Sequence, residues 1–115
     1  MKCLFVSSDL FSSSQFASAI RQAGVDVQTA FAPPASLEAD CGAAVFDLET
    51  AGAIEAIAAL AGSGRALIAF GPHVKVGLLD AAQQAGAKAV LTRGQAMRDL
   101  GPLVKRELES AAPRS

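Results

Sequence analysis

The sequence predicts an α/β domain with a five-stranded parallel sheet and helices on both faces. Two observations predict it. Five short apolar runs alternate strictly with longer segments whose apolar residues recur at helical spacing, and that alternation builds parallel sheets. Runs such as "CLFV" and "ALIAF" are also apolar throughout, as strands buried on both faces are.

The elements follow in order. "CLFV", Cys3 to Val6, is the first strand. Ser8 or Asp9 caps a helix from about Phe11 to Ala23, with Phe16, Ala19, Ile20 and Ala23 on one face and Gly24 as its stop. "VDVQTAF" alternates as a second strand, placing Val25, Val27 and Thr29 on one side. Pro33-Pro34 then removes two backbone donors, so only a short helical turn near Ser36 to Ala39 fits before the next strand. "AAVFDL" is the third strand. "AGAIEAIAALAG" is a helix with Ile54, Ile57, Ala58 and Ala61 spaced for burial. "RALIAF" is the fourth strand, ended by Gly71-Pro72, and "VKVGLLDAAQQAG" is a helix closed by Gly86. "AKAVLT" is the fifth strand. From Gln95 to about Ala111 the chain reads as helix in two parts, with Pro102 in the first turn of the longer piece, and "APRS" frays.

Composition excludes several classes of function. The 115 residues suit one domain, residues 1–115, and 51% hydrophobic against 18% charged residues is enough for a packed core. Ten basic and eleven acidic residues leave a net charge of −1, which fits neither a nucleic-acid polyelectrolyte nor a basic membrane anchor. Cys3 and Cys41 have no metal-type spacing and His73 is the lone histidine, so a structural zinc site is excluded. No apolar run approaches the roughly 20 residues of a membrane span, and "MKCLFVSSD" is too soon polar for a signal peptide. The expected setting is cytoplasmic, with reduced thiols.

Open parallel sheets bind ligands at the carboxyl ends of their strands. Those ends carry Ser7-Ser8-Asp9, Asp47 with Glu49 and Thr50, Gly71-Pro72-His73, and Thr92-Arg93-Gly94. Asp9 and Asp47 are expected to approach each other near the middle of the sheet, with Arg93 opposite. A carboxylate pair of that kind holds a hard cation such as Mg²⁺. His73, just before a helix, is read as a capping or solvent-facing residue rather than an anion or pH sensor.

This arrangement resembles a response-regulator receiver domain over about residues 2 to 110. "AAVFDLE" is similar to the phosphoacceptor strand of that CheY-like family, with Asp47 at the acceptor position. "AAQQAGAKAVLTRG" is similar to the stretch leading through strand five, with Arg93 at the position of the family's lysine. The resemblance implies a flavodoxin-like, doubly wound sheet of order 2-1-3-4-5, here with a short helix 2. It also implies signalling by protein contact through the family's helix 4, strand 5 and helix 5. In this sequence that face holds Lys75, Leu78, Leu79, Gln83, Lys88, Arg93, Arg98 and Lys105, a basic lean that suits an acidic partner or a second copy.

The sequence departs from the family where chemistry matters. The family's acidic pair falls on Ser7 and Ser8, or on Ser8 and Asp9 after a one-residue deletion. The switch hydroxyl falls on Phe70 or Gly71. Arg93 keeps a charge but not the compact ammonium of lysine. Receiver phosphorylation needs Mg²⁺ to neutralise the incoming group, and serine is a poor replacement ligand. The expectation is therefore a degenerate pseudo-receiver: a non-enzymatic stand-alone module, or one domain of a longer chain, with no cofactor beyond a weak Mg²⁺ site at Asp9 and Asp47. Two other readings remain: a receiver still phosphorylated on Asp47, with Asp9 and Glu49 helping to hold metal, and a small-ligand binder. The last lacks a glycine in "SSDLFSSSQF" and any nucleophile–base pair.

Overall fold

A computed structural model describes residues 2–111. The elements run β1 (Lys2–Val6), α1 (Leu10–Gln22), β2 (Asp26–Ala30), β3 (Cys41–Asp47), α2 (Ala53–Leu60), β4 (Ala66–Gly71), α3 (Val76–Ala85), β5 (Ala89–Thr92) and α4 (Arg93–Ala111). All five strands pair in parallel in the order β2-β1-β3-β4-β5. The expected doubly wound sheet is thus the observed one. The expected fraying of residues 112–115 lies outside the described residues.

The central strands are apolar throughout because each side of the sheet has its own core. Phe5, Val45, Ile68 and Phe70 point toward α1 and α4, where they meet Phe16, Ile20, Leu100 and Val104. Val6, Ala44, Phe46 and Leu67 point the other way, toward Ile57 and Leu60 of α2 and Ala82 of α3. The rings of Phe5, Phe16 and Phe70 form a cluster with centroids 4.8–5.8 Å apart. Such pairs add about 0.5–1.5 kcal/mol beyond their buried area.

Four local expectations need correction. The short helix near Ser36 to Ala39 does not form; residues 31–40 are irregular. Tertiary partners hold the segment in an irregular path instead. Lys2 pairs with Glu38 at 3.1 Å and Asp40 at 3.5 Å, while Arg65 donates to the Glu38 carbonyl at 3.2 Å. Without that helix, a cleft of about 130 Å³ remains over β1 and β2, lined by Leu4, Ala30, Pro34, Leu37 and Cys41 among others.

In α2 the buried residues are Ala53, Ala56, Ile57 and Leu60, with Ile54 partly buried, whereas Ala58 and Ala61 are exposed. The helix is rotated from the expected face because Leu60 displaces the smaller alanines from the core. On α1 the fully buried apolar residues are Phe16, Ala17 and Ile20, while Ala19 and Ala23 are only half-buried at the α4 side. The tail is one helix of 19 residues with Pro102 inside it, not two parts. It starts at Arg93, because Thr92 and Gln95 cap it reciprocally: the Gln95 N–H donates to Thr92 Oγ1 at 3.2 Å and the Thr92 N–H to Gln95 Oε1 at 2.9 Å. Pro102 costs one backbone bond, but packing of Ala96, Leu100, Val104 and Leu108 on the core carries the helix through. Gly101 allows the close crossing, since a Cβ there would lie 2.7 Å from the Ala19 carbonyl oxygen of α1. Gly86 closes α3 as expected, at φ 115°, a left-handed conformation that glycine adopts without steric cost.

Candidate functional site

The carboxyl end of β1 places Ser7 beside Asp47 at the end of β3, because Val6 pairs with Phe46. Asp47 is only 2% exposed. Its Oδ2 accepts from the Ser7 hydroxyl at 2.8 Å, and its Oδ1 accepts from the Glu49 N–H at 3.0 Å. The Ser7 oxygen in turn accepts from the Asp9 N–H at 3.1 Å. The turn after β3 is fixed to the turn after β1 by the Ser8 N–H, which donates to Thr50 Oγ1 at 3.0 Å.

Arg93 enters from two strands away. Thr92 pairs with Gly71, so the first residue of α4 stands just past the end of β4. From there the guanidinium lies 5.4 Å from the centroid of the Phe70 ring and reaches Asp47 Oδ2 at 3.6 Å and Glu49 Oε1 at 3.7 Å. It also donates to Ser12 Oγ at 3.0 Å. Lys75 completes the cluster by pairing with Glu49 Oε2 at 3.2 Å.

Of the two expected caps, Ser8 and Asp9, it is Asp9 that caps α1. Its carboxylate accepts from the Phe11 N–H at 3.0 Å and the Ser12 hydroxyl at 2.8 Å. The Ser12 bond, followed by the backbone amides, holds its pKa below the usual carboxylate value. Asp9 and Asp47 share Arg93, Asp9 through the Ser12 hydroxyl and Asp47 directly, so the approach expected of them is bridged by a guanidinium. The pocket positions hold the hydroxyl of Ser7, the exposed Ser8 and a carboxylate engaged in capping, with a guanidinium at Oδ2. Among the described residues no group of three His, Cys, Asp or Glu residues could hold a metal ion. This set does not fit the family's Mg²⁺.

Gly71, at the switch position, is buried, and a Cβ there would make ordinary contacts with Leu48 and Leu79 at 3.5–3.6 Å. A methyl-sized side chain would fit, but none is present to offer a hydroxyl. His73 is exposed, as expected, though the cap position of α3 belongs to Lys75. Sequence reasoning missed Ser12, Phe70 as a platform for Arg93, and Lys75 as an ion-pair partner. The spacing Asp9-x-x-Ser12 is a legible cap signal; the other two depend on contacts across the sheet.

The crystal structure of a CheY-like response regulator receiver domain protein from Methanospirillum hungatei matches with a TM-score of 0.79 over 96% of this chain and 94% of that one, at 19% identity. A response regulator receiver protein from Pseudoalteromonas atlantica matches at 0.81 over 96% and 99%, at 13% identity. The chain has the receiver-domain fold. The BeF₃-activated DrrB receiver domain matches at 0.79, covering 94% of this chain and 97% of that one, at 19% identity. No family model and no curated protein matches the sequence. The match with the Methanospirillum hungatei structure covers 94% of that receiver, and in this chain Asp47 ends the third strand.

The face of α3, β5 and α4 carries less open charge than its sequence suggests. Lys75 is paired with Glu49, Arg93 with Asp47, and Lys88 with Glu107 at 2.6 Å. Leu78 and Leu79 are half-buried against the α2 side of the core. Among the described residues no helix is long and apolar enough to cross a membrane.

Proposed function

We propose that this receiver-like module signals by protein contact and does not use Mg²⁺-dependent phosphorylation. The observation that carries the reading is the Arg93–Asp47 contact. A cation 3.6 Å from Oδ2, with the Ser7 hydroxyl at 2.8 Å on the same oxygen, stands where an added phosphoryl group and its metal would need to be. Asp47 Oδ1 is meanwhile held by a backbone amide. Phosphoryl transfer would have to break these bonds while Asp9 is engaged in capping α1 and Glu49 in ion pairs with Arg93 and Lys75. The reading is of a binding module rather than a catalyst: the hydroxyls of Ser7 and Ser12 are spent on holding Asp47 and Asp9 in place.

The experiment is incubation with acetyl phosphate, or with beryllofluoride, in the presence of Mg²⁺. Intact mass and amide shifts around Asp47 are the readouts. The expected result is no added mass and no shift beyond the Mg²⁺ control. A phosphoryl adduct that disappears in Asp47→Asn would overturn the proposal and make the protein a phosphorylated receiver.

A further inference from the structure

The large apolar side chains most exposed to water are Leu10, Phe11, Phe31, Val74, Val76 and Met97, each 53–74% exposed. All six lie at one end of the molecule. Leu10 and Phe11 open α1, Phe31 follows β2, Val74 and Val76 lie at the start of α3, and Met97 is in the second turn of α4. In a parallel sheet each of these segments departs from the carboxyl edge, so the topology collects them around the Asp47–Arg93 cluster. The amino edge carries no such residue among the described ones.

We infer that this carboxyl edge is a self-association surface, on which a second copy of the chain packs about a two-fold axis. The inference rests on the reading above that the module works by contact.

Two observations select a second copy. The first is area. The six residues together leave on the order of 600 Å² in water, at the top of the range for a monomer's largest apolar patch and most of the roughly 800 Å² per partner of a standard interface. The second is charge. Between the apolar residues lie Asp9 and Glu49 with Lys75 and Arg93, two of each sign. A strongly acidic or basic partner would meet like charge over half of that cluster. A two-fold copy presents both signs to both signs, which makes the patch self-complementary.

The test is sedimentation of the full chain from about 1 μM to 1 mM, a range that brackets weak to moderate self-association. The wild type is compared with Phe11→Asp and Val74→Asp at the edge, and with Lys105→Glu on the outer side of α4. All three positions are exposed, so circular dichroism and Tm should stay unchanged. The expected result is a monomer–dimer equilibrium whose dimer Kd rises at least tenfold in each edge variant and not in Lys105→Glu. A wild type monomeric throughout would overturn the inference. So would a dimer that survives both edge variants, or one that Lys105→Glu alone disrupts. These outcomes are separate from phosphorylation: a beryllofluoride adduct at Asp47 refutes contact-only signalling, and a monomer refutes the edge interface.

Discussion

Replacing Arg93 with methionine, which keeps the length of the side chain and removes its charge, tests the cluster most directly. Breaking a fully buried ion pair by removing one partner costs about 3–5 kcal/mol. Asp47 meets that condition, with its side chain 3% exposed, but Arg93 is 35% exposed and the contact is 3.6 Å long. Solvent screening therefore brings the pair itself down to about 1 kcal/mol. The Ser12 hydrogen bond and the contact with the Phe70 ring each add about 0.5–1 kcal/mol. Arg93→Met should thus lose about 2 kcal/mol, a fall of roughly 8 °C in Tm for a domain of this size. Urea unfolding of wild type, Arg93→Met, Asp47→Asn and the double variant isolates the pairwise part. The expected coupling is about 1 kcal/mol. Strictly additive single variants, with coupling below about 0.3 kcal/mol, would mean that Arg93 does not act on Asp47 and would remove the main support for a closed phosphoacceptor.

Gly101→Ala should destabilise by about 1–3 kcal/mol despite the better helix propensity of alanine, because its Cβ meets the Ala19 carbonyl oxygen; Gly94→Ala, with nothing within 4 Å, is the control and should be neutral or slightly stabilising in thermal melts. The Asp9 pKa is depressed in the folded state, so the stability it contributes is present above the unfolded value near 3.9 and is lost as pH falls through the folded value. Ser12→Ala removes the largest cause of that depression, and a carboxyl NMR titration should show the Asp9 midpoint move upward; an unmoved midpoint would exclude the Ser12 bond as its cause. Burial pushes the Cys3 thiol well above its ordinary pKa. Its modification by a thiol reagent should therefore follow global unfolding, and fast labelling of native protein at Cys3 would contradict the packing of β1.

The fold was legible because its signals are local. Period-free apolar runs such as "ALIAF" can be satisfied only by burial on both sides, and Gly24 and Gly86 stop their helices whatever surrounds them. The absence of the helical turn expected near Ser36 to Ala39 was not legible, since the ion pair of Glu38 with Lys2 and the hydrogen bond from Arg65 to the Glu38 carbonyl decide that segment's path. The single long α4 was half-legible: Thr92 and Gln95 are a capping box in plain sequence, but the passage through Pro102 depends on the core beneath it.

The site divides along the same line. The sequence by itself determined that a carboxylate ends the third strand and that Ser7 and Ser8 follow the first, because residue type and strand position are local facts. Only the tertiary structure decided what each group does. Asp9 rather than Ser8 caps α1, and Arg93 crosses the end of β4 to reach Asp47, 46 positions earlier in the chain. Such contacts depend on strand register and side-chain reach, and a linear sequence encodes them only through the whole packed fold.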